Sequence, residues 1–419
     1  MEKSGKFRLT SLERNWILYD VGNSAFVLMV ATLIPIFFNA LAESGGLSSV
    51  EYLAYWGYAS SAVTVITAVL SPILGTVADT KGFKKPIFIL CVFVGIVGCC
   101  AMGAASAWLP FLVIFVIAKV GFSGSLVFYD SMLSDVTTPE RMDEVSSRGY
   151  AWGYIGSCVP FVVCLGLVLG AGSIGISQMT ALNLALLLTA AWWLLTTLPL
   201  LKSYKQLYYV EVEKHAVRQS FARIGHTLRH LPEDKQVFWF LLAFFCYIDG
   251  VYTIIDMATA YGTALGLDTT GLLLALLVTQ IVAFPSALIF GRLSQKYESK
   301  TLIPVCIAAY TGIAVFAFFL KSQWQFWVLA VVVGMFQGGV QALSRSHFAK
   351  IIPQEKSGEY FGLFDICGKG ASFLGTMIVS VGSQLTGSAN VGVGSIAILF
   401  VIGFVLFGIS TRTEETKQA

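Results

Sequence analysis

The charges of this 419-residue chain come in clusters, and between the clusters lie apolar runs of about 20 residues or more, the length a helix needs to cross a bilayer. Such runs cannot be shed to water. Only 12% of the residues are charged, about half the ~25% of an ordinary soluble domain, and the mean hydropathy is +0.76. This disfavours a soluble enzyme, a nucleic-acid binder and a disordered scaffold.

The charged breaks predict twelve membrane spans: 15–42, 52–78, 87–106, 110–134, 149–170, 180–201, 237–262, 270–292, 301–320, 324–346, 359–384 and 390–411. The connections alternate between charged and nearly uncharged. All but three of the 27 Lys and Arg (Lys119, Lys321 and Lys369) fall in the termini and in the connections after even-numbered spans, counting Arg345 at the end of span 10. The positive-inside rule then puts both termini in the cytoplasm. The expected location is a membrane of the bacterial plasma-membrane type. Met1 to Arg14 is polar and basic, and the run after it carries Asp20, so it reads as a retained first helix.

The longest connection splits the chain into a six-helix half over 1–201, a linker over 202–235 and a second six-helix half over 236–419. Within the linker, Val210 to Arg229 has the composition of a basic amphipathic helix for the inner leaflet, or of a solvated linker. His226 and His230 have the spacing of a metal pair without a third ligand, and the eight cysteines all sit in apolar runs. Neither disulfides, a metal nor a cofactor is expected.

The halves repeat one another. Gly75-Thr-Val-Ala-Asp79-Thr-Lys81-Gly82-Phe83-Lys84-Lys85 follows span 2, and Gly291-Arg-Leu-Ser-Gln295-Lys-Tyr-Glu-Ser-Lys300 follows span 8. A shift of 214 residues pairs Phe122 with Phe336, Gly124 with Gly338 and Pro139 with Pro353. Two related halves around a midplane site is a transporter architecture.

The 75–85 segment resembles the loop after helix 2 of the major facilitator superfamily, with Gly82 one residue late and Phe83 where a basic residue is usual. Four further segments resemble the vacuole-effluxer branch of that superfamily, the autophagy-related amino-acid effluxers and their bacterial relatives. They are Trp16-Ile-Leu-Tyr-Asp20-Val-Gly-Asn23-Ser-Ala-Phe26, Tyr247-Ile-Asp249-Gly250-Val-Tyr252-Thr-Ile-Ile255, Gly338-Gly-Val-Gln341-Ala-Leu-Ser-Arg345-Ser346 and Gly358-Glu-Tyr-Phe-Gly362-Leu-Phe-Asp365-Ile-Cys-Gly368-Lys369. The resemblance implies an all-α major facilitator fold and a gate formed by Gly75, Asp79, Lys81, Lys84 and Lys85. In such a gate Asp79 caps a neighbouring helix N-terminus, and the lysines hold the loop in water or against lipid phosphate. Arg345, beside the loop after span 10, is expected to join that gate. The resemblance also implies amino-acid transport, and a link between Lys119 and proton coupling.

An ionisable group inside a span costs ~2.5–3.5 kcal/mol on insertion scales, so Asp20, Lys119, Asp130, Asp249, Asp256, Asp365 and Lys369 each need a reason. Helical rise puts Lys119, Asp249 and Lys369 nearest mid-depth. Asp20, Asp130 and Asp365 lie toward the cytoplasmic end, and Asp256 lies toward the outside. The expected substrate residues are Lys119, Asp249, Lys369 and Asp365, with Asn23, Tyr252, Trp152, Gln337 and Gln341 lining the cavity. Lys119 opposite Asp249 suits a zwitterion. The carboxylates expected to carry protons are Asp249, Asp256, Asp20 and Asp130. Each has a plainer account: Asp20 and Asp130 as interfacial groups, Asp365 and Lys369 as a self-neutralising i,i+4 pair, Lys119 as a snorkelling lysine.

The sequence therefore predicts a non-enzymatic transporter of a small polar or zwitterionic metabolite. On the family resemblance the substrate is an amino acid, moved by alternating access with a proton as the coupling partner. The bilayer is its medium, nucleic acid is no partner, and the chain is expected to act as a monomer. A lipid or lysolipid translocase of the same fold and a non-transporting sensor stay open as other readings.

Overall fold

The computed structural model describes residues 7–211, 225–227 and 229–418; the side chains of a few helical residues, those of 369–373 among them, are outside the description. Most of the segment 210–229, read above as an amphipathic helix, and the side chain of Lys369 therefore lie outside the described residues.

Twelve long helical segments follow the charge pattern. We number them α1 (Ser11–Ser44), α2 (Ser49–Ala78), α3 (Lys84–Gly103), α4 (Trp108–Ser131), α5 (Met142–Leu169) and α6 (Gln178–Ser203). The second six are α7 (Lys235–Ala264), α8 (Thr269–Leu293), α9 (Ser299–Ala317), α10 (Gln323–Ile351), α11 (Ser357–Thr386) and α12 (Ala397–Gln418). Among the described residues, eleven helices are long and apolar enough to cross a membrane; α11, as long as the others, packs among them as the twelfth. Among the described residues the start of α1 and the end of α12 lie on one face, here the terminal face; the opposite one is the far face.

Three departures from the predicted spans have local causes. α1 breaks at Thr32, because Pro35 has no N–H for the Ala31 carbonyl and the Thr32 hydroxyl bonds back to Leu28 O. α5 begins at Met142 rather than 149, and α10 runs to Ile351 rather than 346. Both extra turns carry charges, Asp143 and Lys350, that bond to each other across the halves at 2.6 Å.

Within lipid there is no hydrophobic drive to bring helices together, so close approach relies on small residues. A Cβ on Gly98 would press on Ala118, and one on Gly121 would press on the α3 backbone at Gly95 and Cys91. Leu90, Phe93 and Val97 on α3, and Ile398, Val401 and Val405 on α12, are more than 36% exposed and spaced as lipid-facing stripes.

The halves meet through α2 against α11 and α5 against α8. The glycines paired by the internal repeat sit at these two crossings. Gly75 faces the Gly358 carbonyl at the start of α11, and Gly291 faces Ser147 and Glu144 near the start of α5. Gly75→Val places a branched side chain where the Gly358 carbonyl lies. Overpacking of this kind costs about 1–3 kcal/mol, so the variant should show a lowered thermal unfolding midpoint in detergent. An unchanged midpoint would show that the α2–α11 crossing can spread without loss.

Candidate functional site

On the terminal face the loop after α2 is bound to the start of α11. The Asp79 carboxylate accepts the Gly358 amide at 2.7 Å and the Glu359 amide at 2.8 Å, so it caps the first turn of α11 across the halves. An acidic group belongs there, because a helix N-terminus leaves its first amides unpaired and carries a partial positive charge.

Lys84 departs from expectation. It is fully buried rather than held in water or at lipid phosphate, 3.8 Å from Asp79 and 3.5 Å from Asp135, and it donates to the Ser357 hydroxyl at 2.8 Å. Two carboxylates make burial of the ammonium tolerable. Asp135, which the sequence did not single out, also accepts the Tyr204 hydroxyl at 2.6 Å and the Leu207 and Tyr208 amides at 2.9 and 3.0 Å. The start of the linker is thereby tied to the gate. Lys81 stays exposed, 3.5 Å from Glu211, and Lys85 donates to the Tyr204 carbonyl at 3.5 Å.

A second node forms around Arg345 of α10. Its guanidinium donates to the Ser146 hydroxyl and carbonyl of α5 at 2.9 and 3.0 Å and to Asp130 of α4 at 2.9 Å. Asp20 of α1 lies 3.8 Å away. The rings of Trp16, Tyr129 and Tyr150 lie over the same guanidinium at 4.7, 5.4 and 4.3 Å. Arg345 is 2% exposed, so it is a buried cross-link between the halves. Asp20 and Asp130 are its counter-charges. Further from the terminal face, Tyr154 donates to Gln341 at 2.6 Å and Ser71 donates to Asp365 at 2.7 Å, again across the halves. These bonds close the terminal face.

Beyond that closure lie Lys119 and Asp256. Lys119 is ~16 Å along α4 from Asp130, and Asp256 is ~10 Å along α7 from Asp249, at 1.5 Å per residue. The two belong to opposite halves and lie within electrostatic reach of each other. The Lys119 ammonium also sits over the Phe122 ring at 4.7 Å. Asp256 is exposed, whereas Gln337, ~12 Å along α10 from Arg345, is buried with its carbonyl oxygen unbonded.

Other expected lining residues are placed elsewhere. Asp249 does not face Lys119: it is fully buried and accepts the Gly375 amide on both oxygens at 2.9 Å and the Thr253 hydroxyl at 3.2 Å. Asn23 donates to the Tyr19 carbonyl at 3.0 Å within its own helix. Trp152 lies about half a helical turn around α5 from Tyr150 and Tyr154, 46% exposed against Phe284, and so belongs to the outer flank. Tyr252 is half-buried between Asp256 and the Arg345 node. An apolar crevice of about 150 Å³ opens among α2, α3 and α4, lined by Leu70, Leu90 and Val94, and belongs to one half only.

Arg345→Ala would leave the buried Asp20 and the partly exposed Asp130 without their cation and weaken the closed terminal face, by at most about the 3–5 kcal/mol of a fully buried pair. A Ser147→Cys reporter, buried in the parent, should then be alkylated from that face at least tenfold faster. Arg345→Lys, which keeps the charge and loses the fork, should fall between. Equal rates in all three would mean that Arg345 does not hold the halves together.

The family profile described as vacuole effluxer Atg22 like matches residues 11–140 and 134–419. The uncharacterized MFS-type transporter YxiO of Bacillus subtilis is 42% identical over 419 residues, covering 98% of both chains. Autophagy-related protein 22 of Yarrowia lipolytica is 26% identical over 306 residues, 66% of this chain and 51% of its own. The match thus spans about half of that fungal relative. Among solved structures, the human organic anion transporter MFSD10 superposes with a TM-score of 0.71 at 14% identity, covering 94% of this chain and 98% of that one. The transporter FucP in its outward conformation gives 0.71 at 16% identity, covering 96% and 97%. The chain is a multi-pass membrane protein of the major facilitator fold and belongs to the vacuole effluxer Atg22-like family.

Proposed function

We propose that this transporter carries a small zwitterion, an amino acid above all, by rocking its two halves about the space between Lys119 and Asp256. One observation carries the reading: a cation and an anion within the membrane spans, one on each half, within electrostatic reach of each other beyond a closed terminal face. A zwitterion inserted between them gives each charge a partner, its carboxylate to Lys119 and its ammonium to Asp256. A neutral solute would leave both charges facing each other, and a lipid tail would leave them facing hydrocarbon. The effluxer description of the family favours a transporter, and the family resemblance read from the sequence supplies the amino-acid class.

The excess of Lys and Arg on the terminal face supports a cytoplasmic terminal face, hence a site that opens outward in this state. Coupling to protons falls to Asp256, because a carboxylate exchanges protons only where water reaches it. Among the expected carriers Asp249 is sealed, and Asp20 and Asp130 are engaged by Arg345.

Proteoliposomes holding the purified chain test this with labelled amino acids, with and without a pH gradient. At least one amino acid should accumulate under the gradient. Lys119→Ala and Asp256→Asn should each cut its uptake tenfold or more, the equivalent of ~1.4 kcal/mol or more of lost pairing. Lys119→Ala should keep the response to the gradient that Asp256→Asn loses. Wild-type uptake in both variants, or no amino acid moved at all, would refute the assignment.

A further inference from the structure

Gln337 is 7% exposed, and its carboxamide oxygen has no hydrogen-bond partner among the described residues. A buried acceptor left unpaired is unfavourable, and native proteins keep one only where something completes it. The neighbours of Gln337 on α10 show what is missing. Gln337, Gln341 and Arg345 follow one another every four residues and so share one face of the helix. The other two reach the opposite half: Gln341 accepts the Tyr154 hydroxyl at 2.6 Å, and Arg345 donates to Asp130 at 2.9 Å. The hydrogen bonds between the halves along this face stop at Gln341, and Gln337 is the first polar side chain of α10 beyond them.

The cation and the anion of the proposed site stand at the same height. Lys119 lies ~16 Å beyond Asp130 along α4, about three turns on and so on the same face. α7 is joined to α10 beside Arg345 by the 2.7 Å hydrogen bond between Tyr247 and Ser344, and Asp256 follows Tyr247 on α7. The rise from Tyr247 to Asp256 is ~14 Å, and that from Arg345 to Gln337 is ~12 Å. Counted from the closed gate, Lys119, Asp256 and the unpaired oxygen are thus within about one helical turn of one another in height. The oxygen can only accept, so whatever completes it must donate. In a zwitterion seated between Lys119 and Asp256 the donors are on the ammonium. One N–H bonds Asp256, and another is left over.

We propose that Gln337 is a specificity residue: its oxygen accepts an N–H of the substrate's ammonium, so the site selects primary amino zwitterions over those with a methylated nitrogen. The proposal rests on the reading of the Lys119 and Asp256 site above and deepens it. The charge pair alone does not make this selection, because a dimethylated nitrogen keeps its charge and one N–H for Asp256. It has no N–H left for Gln337.

Competition in proteoliposomes holding the full chain tests this. Each labelled amino acid that the wild type takes up competes with the same compound unlabelled, or with its N,N-dimethyl derivative. For half-inhibition the wild type should need about tenfold more derivative than amino acid, or more than that. Gln337→Leu should need about tenfold more amino acid than the wild type does, and the same amount of derivative. Its unfolding midpoint without substrate should equal or exceed that of the wild type, because no bond within the protein is lost. Gln337→Met, of similar length, serves if the leucine variant does not fold. An equal loss for both compounds, no loss for either, or a lowered midpoint overturns the role of Gln337 and leaves the transport reading standing. A derivative that competes at no concentration shows that room, not a hydrogen bond, sets the preference, and overturns that role too. A wild type that moves no amino acid overturns both.

Discussion

A guanidinium buried in a bilayer protein has to find its counter-charges inside the protein, and Arg345 finds them only when the two halves are together. Its anions, Asp130 and Asp20, and the Ser146 backbone all belong to the first half, whereas α10 belongs to the second. The closed terminal face is thus the arrangement in which this charge is satisfied. Asp79 imposes the same condition from the other side, because the amides it accepts lie at the start of α11. Each half carries charge or unpaired amides that the other must neutralise. That mutual requirement lets a helical bundle without hydrophobic drive between its halves hold one state, and it gives the state a cost of opening that a bound ligand can offset.

The internal repeat is kept in shape but not in chemistry. Gly75 and Gly291 lie at equivalent crossings, each allowing a helix start to come close. In the first half the loop continues to Asp79, which grips the partner helix; at the matching place in the second half stands an exposed Gln295. Its work is done elsewhere, by Lys350 on Asp143 and by Arg345 on Ser146. The linker adds a further asymmetry, since Tyr204, Leu207 and Tyr208 converge on Asp135 of the first half. The gate is therefore anchored most heavily where the connection between the halves begins.

How much of this was legible in the sequence depended on whether the deciding contact was local. The spans, the family and the gate loop were legible, because apolar length, charge spacing and the 75–85 motif are local properties. The charges in the membrane were legible as charges needing partners; which partners they take was not. Asp249 and Asp256 lie on one face of α7, and mid-depth favoured Asp249 as the group facing Lys119. In the structure α11, more than a hundred residues away, brings the Gly375 amide onto Asp249, while Asp256 stays open. Lys84 reads as a surface lysine until Asp135 and Ser357 are set beside it. Trp152 reads as a cavity aromatic until the bearing of Tyr154 on Gln341 fixes which face of α5 points inward.

Arg345 and Lys119 show why depth alone does not sort the charges of such a protein. Both are cations on helices of the central bundle, and insertion scales assign each a similar cost. Arg345 donates from a fork of fixed geometry to one carboxylate, a hydroxyl and a carbonyl, a second carboxylate lies 3.8 Å away, and three aromatic rings cover it. A ligand entering there would have to displace protein. Lys119 is a point charge on a flexible stem, partly exposed, with the rings of Phe122 and Phe26 at 4.7 and 6.0 Å and an exposed carboxylate on the other half within electrostatic reach. Its surroundings leave room for a substrate charge to take a place. The saturated cation suits a lock, and the accessible one suits a site.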